Sequence, residues 1–482
     1  MRLSPGQALA SDDKFLLEAA RRASARGGRL LIVGGRARDI VGAYPPEAGA
    51  DLDLVAFGLS REALGEIFAP LGREIWRGRG RAGAGAVPLR ALRVQGEDWE
   101  ASAPQAGEGA APLPWTEWGL RADALRRDFT VNAIYIDPLT REVKDPLGGL
   151  KDIAAKSLFP VSPASLKDDP LRALRAMTLV SKGKLTAHPR LLKDAREFYP
   201  LLKEVPRERL WREWRLWAQS PRPSLGLRFL RESGLINFFP ELEALLWREQ
   251  GWAVHAEGSV WNHSVLALQA LEESALPPGA PQVALRLATL LHDVGKGLVA
   301  PVLSPLTGKA TYYPDHAAWG VKGATAFLRG IGAPSKTIRP VRKLIARHMD
   351  LAFKTPGAAD LRAIGRYLAP EANLADFWAV VAADWNGRSP WPERFPWSLE
   401  EFLEPVGGAA GVRPSPLKGG EIMEALKIPA GPRVGKIKKA LERAHDLGQI
   451  ESKEEALALA RKIALSDGRA AELKRARPPR LP

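Results

Sequence analysis

The sequence predicts an α+β protein, mostly helical, with its strands gathered near the N-terminus. Three observations predict it. Short apolar runs that alternate or are stopped by glycine recur early in the chain: "RLLIVGG" (29–35), "ADLDLVAFG" (50–58), "VPLRALRV" (87–94) and "DWEASA" (98–103). Runs of this length between turn formers read as strands. From about residue 165 onward the apolar spacing turns helical and stays so. The chain has 482 residues, so about three or four domains are expected rather than a single core. The expected sheet is mixed, with about five strands and flanking helices.

Taken in order, a helix over about residues 12–25 leads to "RLLIVGG", a buried strand closed by Gly34 and Gly35. "ADLDLVAFG" alternates as a second strand, and two more follow. "QAGEGAAPLPWTEWG" (105–119) is rich in Gly, Ala and Pro and reads as a mobile loop. "RRDFTVNAIYI" (126–136) places two cations and a carboxylate directly before an apolar, β-rich run. "DDPLRALRAMTLVSK" (168–182) opens with an Asp-Pro helix start. "RERLWREWRLWAQ" (207–219) spaces Trp211, Trp214 and Trp217 three apart, a stripe that predicts core. The organisation expected is a head over 1–155, a helical neck over 156–240, a third unit over 241–400, and a basic helical tail over 401–482.

The composition narrows the function classes. The formal charge is +15, from 70 Lys and Arg against 55 Asp and Glu, which suits a polyanionic partner. There are no cysteines. That excludes disulfides and thiolate metal sites and fits a reducing compartment. The N-terminus lacks the apolar run of a signal peptide, and no apolar run approaches the roughly 18 residues of a membrane span. A soluble cytoplasmic protein is expected.

Chemistry-bearing residues fall into two constellations. In the first, Gly34 and Gly35 follow a strand and open a helix carrying Arg38 and Asp39. Glycines let backbone N–H groups approach a phosphate, and a helix N-terminus favours anions. Asp51 and Asp53 stand two apart on a strand, so both carboxylates face one side. Hard oxygen ligands there suit Mg²⁺ together with substrate phosphates. Arg126, Arg127, Asp128 and Asn132 follow, and arginines grip phosphate oxygens or a base edge through bidentate forks.

These motifs, "GGRARD", "DLDLV", "RRDFTVNA", "DPLGGLKD" and "DDPLRALRAM", occur in the order found in the class II tRNA nucleotidyltransferase and bacterial poly(A) polymerase family of the DNA polymerase β superfamily. The resemblance covers residues of about 28–220 and extends more weakly towards the C-terminus. It implies a polymerase-β-like head in which Asp51 and Asp53 are catalytic and hold Mg²⁺, and in which Gly34, Gly35 and Arg38 shape the triphosphate site. It implies that Arg126, Arg127, Asp128 and Asn132 organise the nucleotide. Asp168, Asp169 and Arg172, with Arg175, would form a protein template that reads C or A. A carboxylate accepts from their exocyclic amine and a guanidinium donates to ring acceptors. The expected partners are the tRNA acceptor end, CTP and ATP. "RERLWREW" keeps Glu208 and Arg209 where the family has a Glu-Arg pair. Glu100 is the match for a glutamate that precedes a flexible loop, but the arginine that usually follows it is absent and the loop is short. In the family a short loop accompanies enzymes that add only two cytidines, so CCA, CC-only and A-only addition all stay open. A poly(A) polymerase, or a tRNA-binding or signalling protein with an inactive head, are the further alternatives.

The second constellation is a histidine–aspartate set: His263 in "VWNHSV", His292 and Asp293 in "LLHDVGKG", His316 in "PDHAAWG", His348 in "ARHMD" and Asp384 in "AADWNGR". Imidazole and carboxylate ligands suit a divalent transition metal such as Mn²⁺, Ni²⁺ or Co²⁺. Asp293 can serve one centre with His292 or bridge two, and Lys296 is placed to meet a phosphate. The unit resembles the HD-type phosphohydrolases fused to some bacterial tRNA nucleotidyltransferases. That resemblance implies metal-activated water attacking a phosphate ester, such as a 2′,3′-cyclic phosphate or 2′-phosphate at a damaged tRNA end. His255 stands just upstream, while His188 and His445 read as structural. In the tail, Gly431 and Gly435 flank an expected helix start before Lys436, Lys438 and Lys439, a segment suited to a phosphate backbone.

Overall fold

In a computed structural model the chain forms two compact units, Met1–Glu243 and Ala244–Pro482. The structure describes residues 1–4, 8–10, 13–44, 51–69, 75–76, 90–94, 97–105, 110–251, 255–274, 276, 279–351, 355, 357–388, 394–407, 416–446 and 449–475.

The first unit is built on a mixed sheet. Its strands are β1 (Arg29–Val33), β2 (Leu52–Phe57), β3 (Ile75–Trp76), β4 (Arg90–Val94), β5 (Glu97–Ser102), β6 (Tyr135–Ile136) and β7 (Val143–Lys144). They lie in the order β3-β4-β5-β2-β1-β6-β7. The β2–β5 pair is parallel and the other pairs are antiparallel. The mixed sheet expected from the sequence is present. Among the described residues it counts seven strands because three two-residue strands, β3, β6 and β7, extend the four longer ones.

Alternation sorts the apolar residues onto two faces. Leu30 and Ile32 with Leu52, Leu54 and Ala56 bury one face against α1 (Asp13–Ala25) and α3 (Arg61–Phe68). Leu31, Val33, Val55 and Phe57 bury the other with Tyr135 and Leu120 of α4 (Glu117–Ala124). The helix starts are capped as their sequences allow. Ser60 accepts from Ala63 N–H before α3, and Thr116 accepts from Gly119 N–H before α4.

Two local expectations are corrected. "FTVNAIYI" is not one strand: Thr130–Asn132 form a 3₁₀ turn and only Tyr135–Ile136 pair. The Asn132 side chain is held by Arg38 and Asp128, and that local bonding competes with the ladder. The stretch 105–119 is not wholly a mobile loop. Residues 106–109 lie outside the described residues, but Leu113 is buried, donates to Pro104 O at 2.8 Å and accepts from Gly58 N–H at 2.8 Å. Its end is the first turn of α4.

The remainder of this unit is helical, apart from the short pair Ser157–Leu158 and Thr186–Ala187. In the helix Arg207–Gln219, Trp214 and Trp217 are fully buried and meet edge to face at 5.1 Å. The Trp217 indole donates to Pro223 O at 2.9 Å. The stripe is therefore core at two of its three positions. Trp217→Ala is expected to cost about 3–5 kcal/mol, measured as a lower urea midpoint of the full chain.

Among the described residues, the second unit is helical apart from its loops, the hairpin Val302–Leu303 with Ala310–Tyr312, and the isolated bridge Glu249–Ser259. Helices Val260–Glu273, Gln282–Leu291, His316–Gly330, Ser335–Arg347 and Leu374–Asn386 carry the histidine–aspartate set or lead directly into it. Gly295 permits one close approach: a Cβ there would lie 1.9 Å from His316 O. The three helices Gly419–Leu426, Pro432–Asp446 and Lys453–Arg475 share an apolar cluster that includes Ile422, Ile437 and Leu441. The expected tail helix starts at Pro432, so Gly435 lies inside it. No helix among the described residues is long and apolar enough to cross a membrane.

Candidate functional site

The first candidate site lies where β1 runs into α2 (Gly34–Val41) beside β2. Gly34 has φ +74°, and a Cβ there would lie 2.4 Å from Asp53 Oδ2. Only glycine allows both that backbone and that approach. Val33 pairs with Asp53 across β1–β2, and Asp53 with Glu100 across the parallel β2–β5 pair. Asp51 is exposed, just ahead of β2.

Burial pushes the Asp53 carboxyl up to about 6; Arg127 and Arg175 pull against it, while Glu100 and Asp51 add to it. A carboxyl in this state gains from a divalent cation, which removes the repulsion and restores the charged form. The sign follows directly. Below about 6 Asp53 holds a proton that a cation must displace. The affinity of the head for Mn²⁺ in the presence of CTP is expected to fall by up to about tenfold per pH unit below that value. Calorimetric titration between pH 5 and 8 checks it.

A chain of hydrogen bonds, completed by an ion pair, runs from the glycine turn to the helix Leu171–Val180. Buried Arg38 donates to Asn132 Oδ1 at 2.9 Å and to Asp39 Oδ1 at 2.9 Å. Asn132 donates to Asp128 Oδ1 at 3.0 Å, and Asp128 Oδ2 lies 3.1 Å from Arg175. Burial would raise the Asp128 carboxyl, but Arg175, Asn132 and the Phe129 N–H outweigh it and hold it below its ordinary value. The structure thus brings Arg38, Asp128, Asn132 and Arg175 together, bonded to one another.

Arg127 is fixed from the other side. It lies 2.9 Å from Asp123 Oδ2, which also accepts from Tyr135 OH at 2.7 Å. Asp123 and Tyr135 were not singled out in the sequence. The signal for Asp123 is its place four residues before Arg127, next to a helix end. Arg126 donates to Gln105 O at 2.5 Å, and its own carbonyl accepts from Arg172.

Asp169 and Pro170 immediately precede the helix Leu171–Val180, and Arg172 is its second residue. Asp169 pairs with Arg209 at 2.8 Å, and Arg172 donates to Ser165 Oγ at 2.9 Å. A cavity of about 170 Å³ is lined by Asp168, Asp169, Pro170, Glu204 and Arg209. Asp169 therefore sits at an opening, while Arg172 is turned towards Ser165 and the Arg126 carbonyl.

In the second unit His263, His292, Asp293, His348 and Asp384 are buried, and His316 nearly so. Asp293 Oδ1 lies 3.3 Å from His316 Nε2 and 3.6 Å from His348 Nε2. Asp293 Oδ2 lies 3.3 Å from His292 Nε2. Asp384 Oδ1 lies 2.9 Å from His263 Nε2 and 3.7 Å from His292 Nε2. Lys296 donates to Asp293 Oδ2 at 2.6 Å and to Gln250 Oε1 at 2.7 Å. Burial would raise Asp293, but Lys296 and His292 hold it well below the ordinary carboxylate range. A cavity of about 450 Å³ opens onto the set, lined by Asp293, His316, Asp384, Lys296, Arg388 and His255 among others. Imidazole and carboxylate donors this close together fit a divalent transition metal.

Glu257 was missed in the sequence. Its Oε1 lies 2.7 Å from His255 Nδ1 and 2.9 Å from His263 Nδ1. Carboxylates commonly orient ligand histidines in this way. The spacing His255-x-Glu257, six residues before His263, was the available signal. His188 is structural, accepting from Arg190 N–H at the start of the helix Pro189–Phe198.

A mixed sheet with a glycine turn facing paired carboxylates defines the first unit as a nucleotidyltransferase head. Residues 30–159 match the poly A polymerase head domain family, and residues 184–246 match the family described as the probable RNA and SrmB-binding site of polymerase A. An A-adding tRNA nucleotidyltransferase of Deinococcus radiodurans is 32% identical over 394 residues, 79% of this chain and 87% of that protein. A CC-adding tRNA nucleotidyltransferase of Thermus thermophilus is 33% identical over 365 residues, 73% of this chain and 79% of that protein. The chain belongs to the tRNA nucleotidyltransferase family. The crystal structure of the Bacillus stearothermophilus CCA-adding enzyme in complex with CTP shares the fold, with a TM-score of 0.63 at 19% identity, over 95% of this chain and 99% of that one.

Proposed function

We propose that the first unit adds C, A or both from CTP and ATP to the 3′ end of tRNA without a nucleic-acid template. The observation that carries this reading is Asp53. It is pressed against Gly34, stands beside Glu100, and is raised to about 6 by burial. Mg²⁺ held by Asp51 and Asp53 would supply charge neutralisation of the triphosphate and activation of the terminal hydroxyl. Gly34 and Gly35 give the backbone room for phosphates, and Arg127 sets a positive charge against Asp53. Arg38, Asn132, Asp128 and Arg175 form the rigid wall behind the nucleotide. Asp169, at the mouth of its cavity, reads the exocyclic amine, and Arg172 supplies the donor once it leaves Ser165. The +15 charge supports a tRNA partner.

The test uses a tRNA transcript lacking its CCA end, with labelled CTP or ATP, sized at single-nucleotide resolution. Three additions, two cytidines, or A alone on a CC-ended transcript separate the three specificities. Long A tails identify a poly(A) polymerase instead. Asp169→Ala is expected to reduce discrimination against UTP and GTP by about 10–100-fold, the value of one good base contact. Unchanged discrimination removes Asp169 from the template.

A specific observation favours a second activity. His263, His292, Asp293, His316, His348 and Asp384 are buried or nearly so, and Asp293, His316 and Asp384 line a cavity that also presents Lys296 and Arg388. This supports an HD-type metal-dependent phosphohydrolase acting on phosphate esters at a tRNA 3′ end. Mn²⁺-, Ni²⁺- or Co²⁺-dependent hydrolysis of a 2′,3′-cyclic nucleotide tests it.

A further inference from the structure

Arg172 does not stand where the proposed template needs it. A guanidinium that reads a base belongs beside Asp169, at the cavity lined by Asp168, Asp169, Glu204 and Arg209, and Arg172 does not line that cavity. Its Nη1 instead donates to Ser165 O at 3.1 Å and to Ser165 Oγ at 2.9 Å, and its Nη2 donates to the Arg126 carbonyl. All three acceptors are neutral oxygens.

Ser165 is shaped to receive it. The residue opens the short helix Ser165–Asp168 and is fully buried. A hydroxyl has one hydrogen and two lone pairs. Ser165 Oγ gives its hydrogen to Asp128 O at 3.1 Å, so the side it turns to Arg172 is an acceptor. The same serine is thereby tied to the wall of the nucleotide site, because Asp128 also binds Asn132 and Arg175.

A base can replace this hold. Burial keeps the Arg172 guanidinium below its ordinary value, against the pull of Asp128 and Asp169. The cation is thus incompletely compensated where it rests. A carboxylate partner would be costly to leave, since pairs of opposite charge make the strong hydrogen bonds. Neutral oxygens exchange more evenly for the neutral ring acceptors of cytosine or adenine.

We propose that Ser165 is a positioning residue for nucleotide choice, whose hydroxyl holds Arg172 off the base until CTP or ATP draws the guanidinium away. Only the fraction of molecules with Arg172 released then binds the nucleotide at full strength. The assignment rests on the template reading of Asp169 and Arg172.

The test compares Ser165→Ala, Arg172→Ala and the double variant in the full chain. KM and kcat for CTP and ATP are measured in single-nucleotide addition to a tRNA transcript, and CTP binding is measured by calorimetric titration. Ser165→Ala is expected to lower KM and Kd about three- to tenfold with kcat unchanged, the value of one hydrogen bond when the two carbonyl contacts remain. Arg172→Ala is expected to raise KM and weaken the rejection of UTP and GTP. In that background Ser165→Ala is expected to change nothing, because Ser165 acts through Arg172. A Ser165 that merely supports the fold would lower activity in both backgrounds, which overturns the proposal. Ser165→Cys keeps the volume but is a weak acceptor. It is expected to act as alanine does, and it decides the matter where Ser165→Ala fails to fold. An unchanged or raised KM in the Ser165 variants, with Arg172→Ala impaired, overturns the hold by Ser165. Normal KM and normal rejection in Arg172→Ala overturn the template reading itself.

Discussion

Asp53→Asn is expected to lower incorporation of CMP or AMP into a tRNA transcript by on the order of 10³-fold, the scale of losing a charged group that acts on the reacting phosphate. Asparagine keeps the volume beside Gly34, where the carboxylate oxygen already sits 2.4 Å from a would-be Cβ. The fold should therefore survive and tRNA binding by filter retention should persist. The same change carries a second, opposite signature. Burial raises the Asp53 carboxyl from 3.8 to about 6, so its ionised form opposes folding, and the associated stability is lost as pH rises through that window. Removing the charge should raise the melting temperature of the metal-free protein at pH 7.5. Activity within tenfold of the parent would remove Asp53 from the chemistry. A melting temperature that does not rise would mean that burying the ionised Asp53 carboxylate costs less than its raised value implies.

Asp384→Ala is expected to abolish metal-dependent phosphodiester hydrolysis, by on the order of 10²–10³-fold, while leaving nucleotide addition unchanged. Asp384 lies within 2.9 Å of His263 Nε2 and 3.7 Å of His292 Nε2, so its loss removes the carboxylate from one whole side of the cluster. Hydrolysis of bis(p-nitrophenyl) phosphate with Mn²⁺, and CTP incorporation by the same preparation, are the paired measurements. Equal loss of both would mean that the second unit acts through stability alone. Loss of neither would remove Asp384 from the metal site.

The positions of the motifs were legible because local chemistry determines them. A glycine pair after "RLLIV" forces a turn, and alternation over residues 51–57 sets Asp53 on a defined face. The histidine–aspartate set was legible from residue type alone. What escaped was partner choice. The Asn132 side chain could have faced a ligand or the backbone; bonding to Arg38 and Asp128 turned an expected strand into a 3₁₀ turn. Arg172 and Asp169 stand i to i+3, yet Asp169 takes Arg209 from a helix forty residues on. Glu257 was passed over because a lone acid between two histidines has no periodicity to mark it. Long-range pairings of this sort depend on tertiary packing, which spacing along the chain does not encode.

The link from Arg38 through Asn132 and Asp128 to Arg175 has a consequence for how such an enzyme can change. On the proposed reading the linkage ties Arg38, at the triphosphate side, to Arg175 on the template helix, so neither end can be retuned alone. Asn132→Ala, in the middle of the linkage, should slow addition and blur the choice between CTP and ATP in the same stroke. A lineage moving from one nucleotide preference to another would then find few single-step routes, and its first viable changes would fall outside this linkage, at the mouth of the cavity around Asp169 and Glu204.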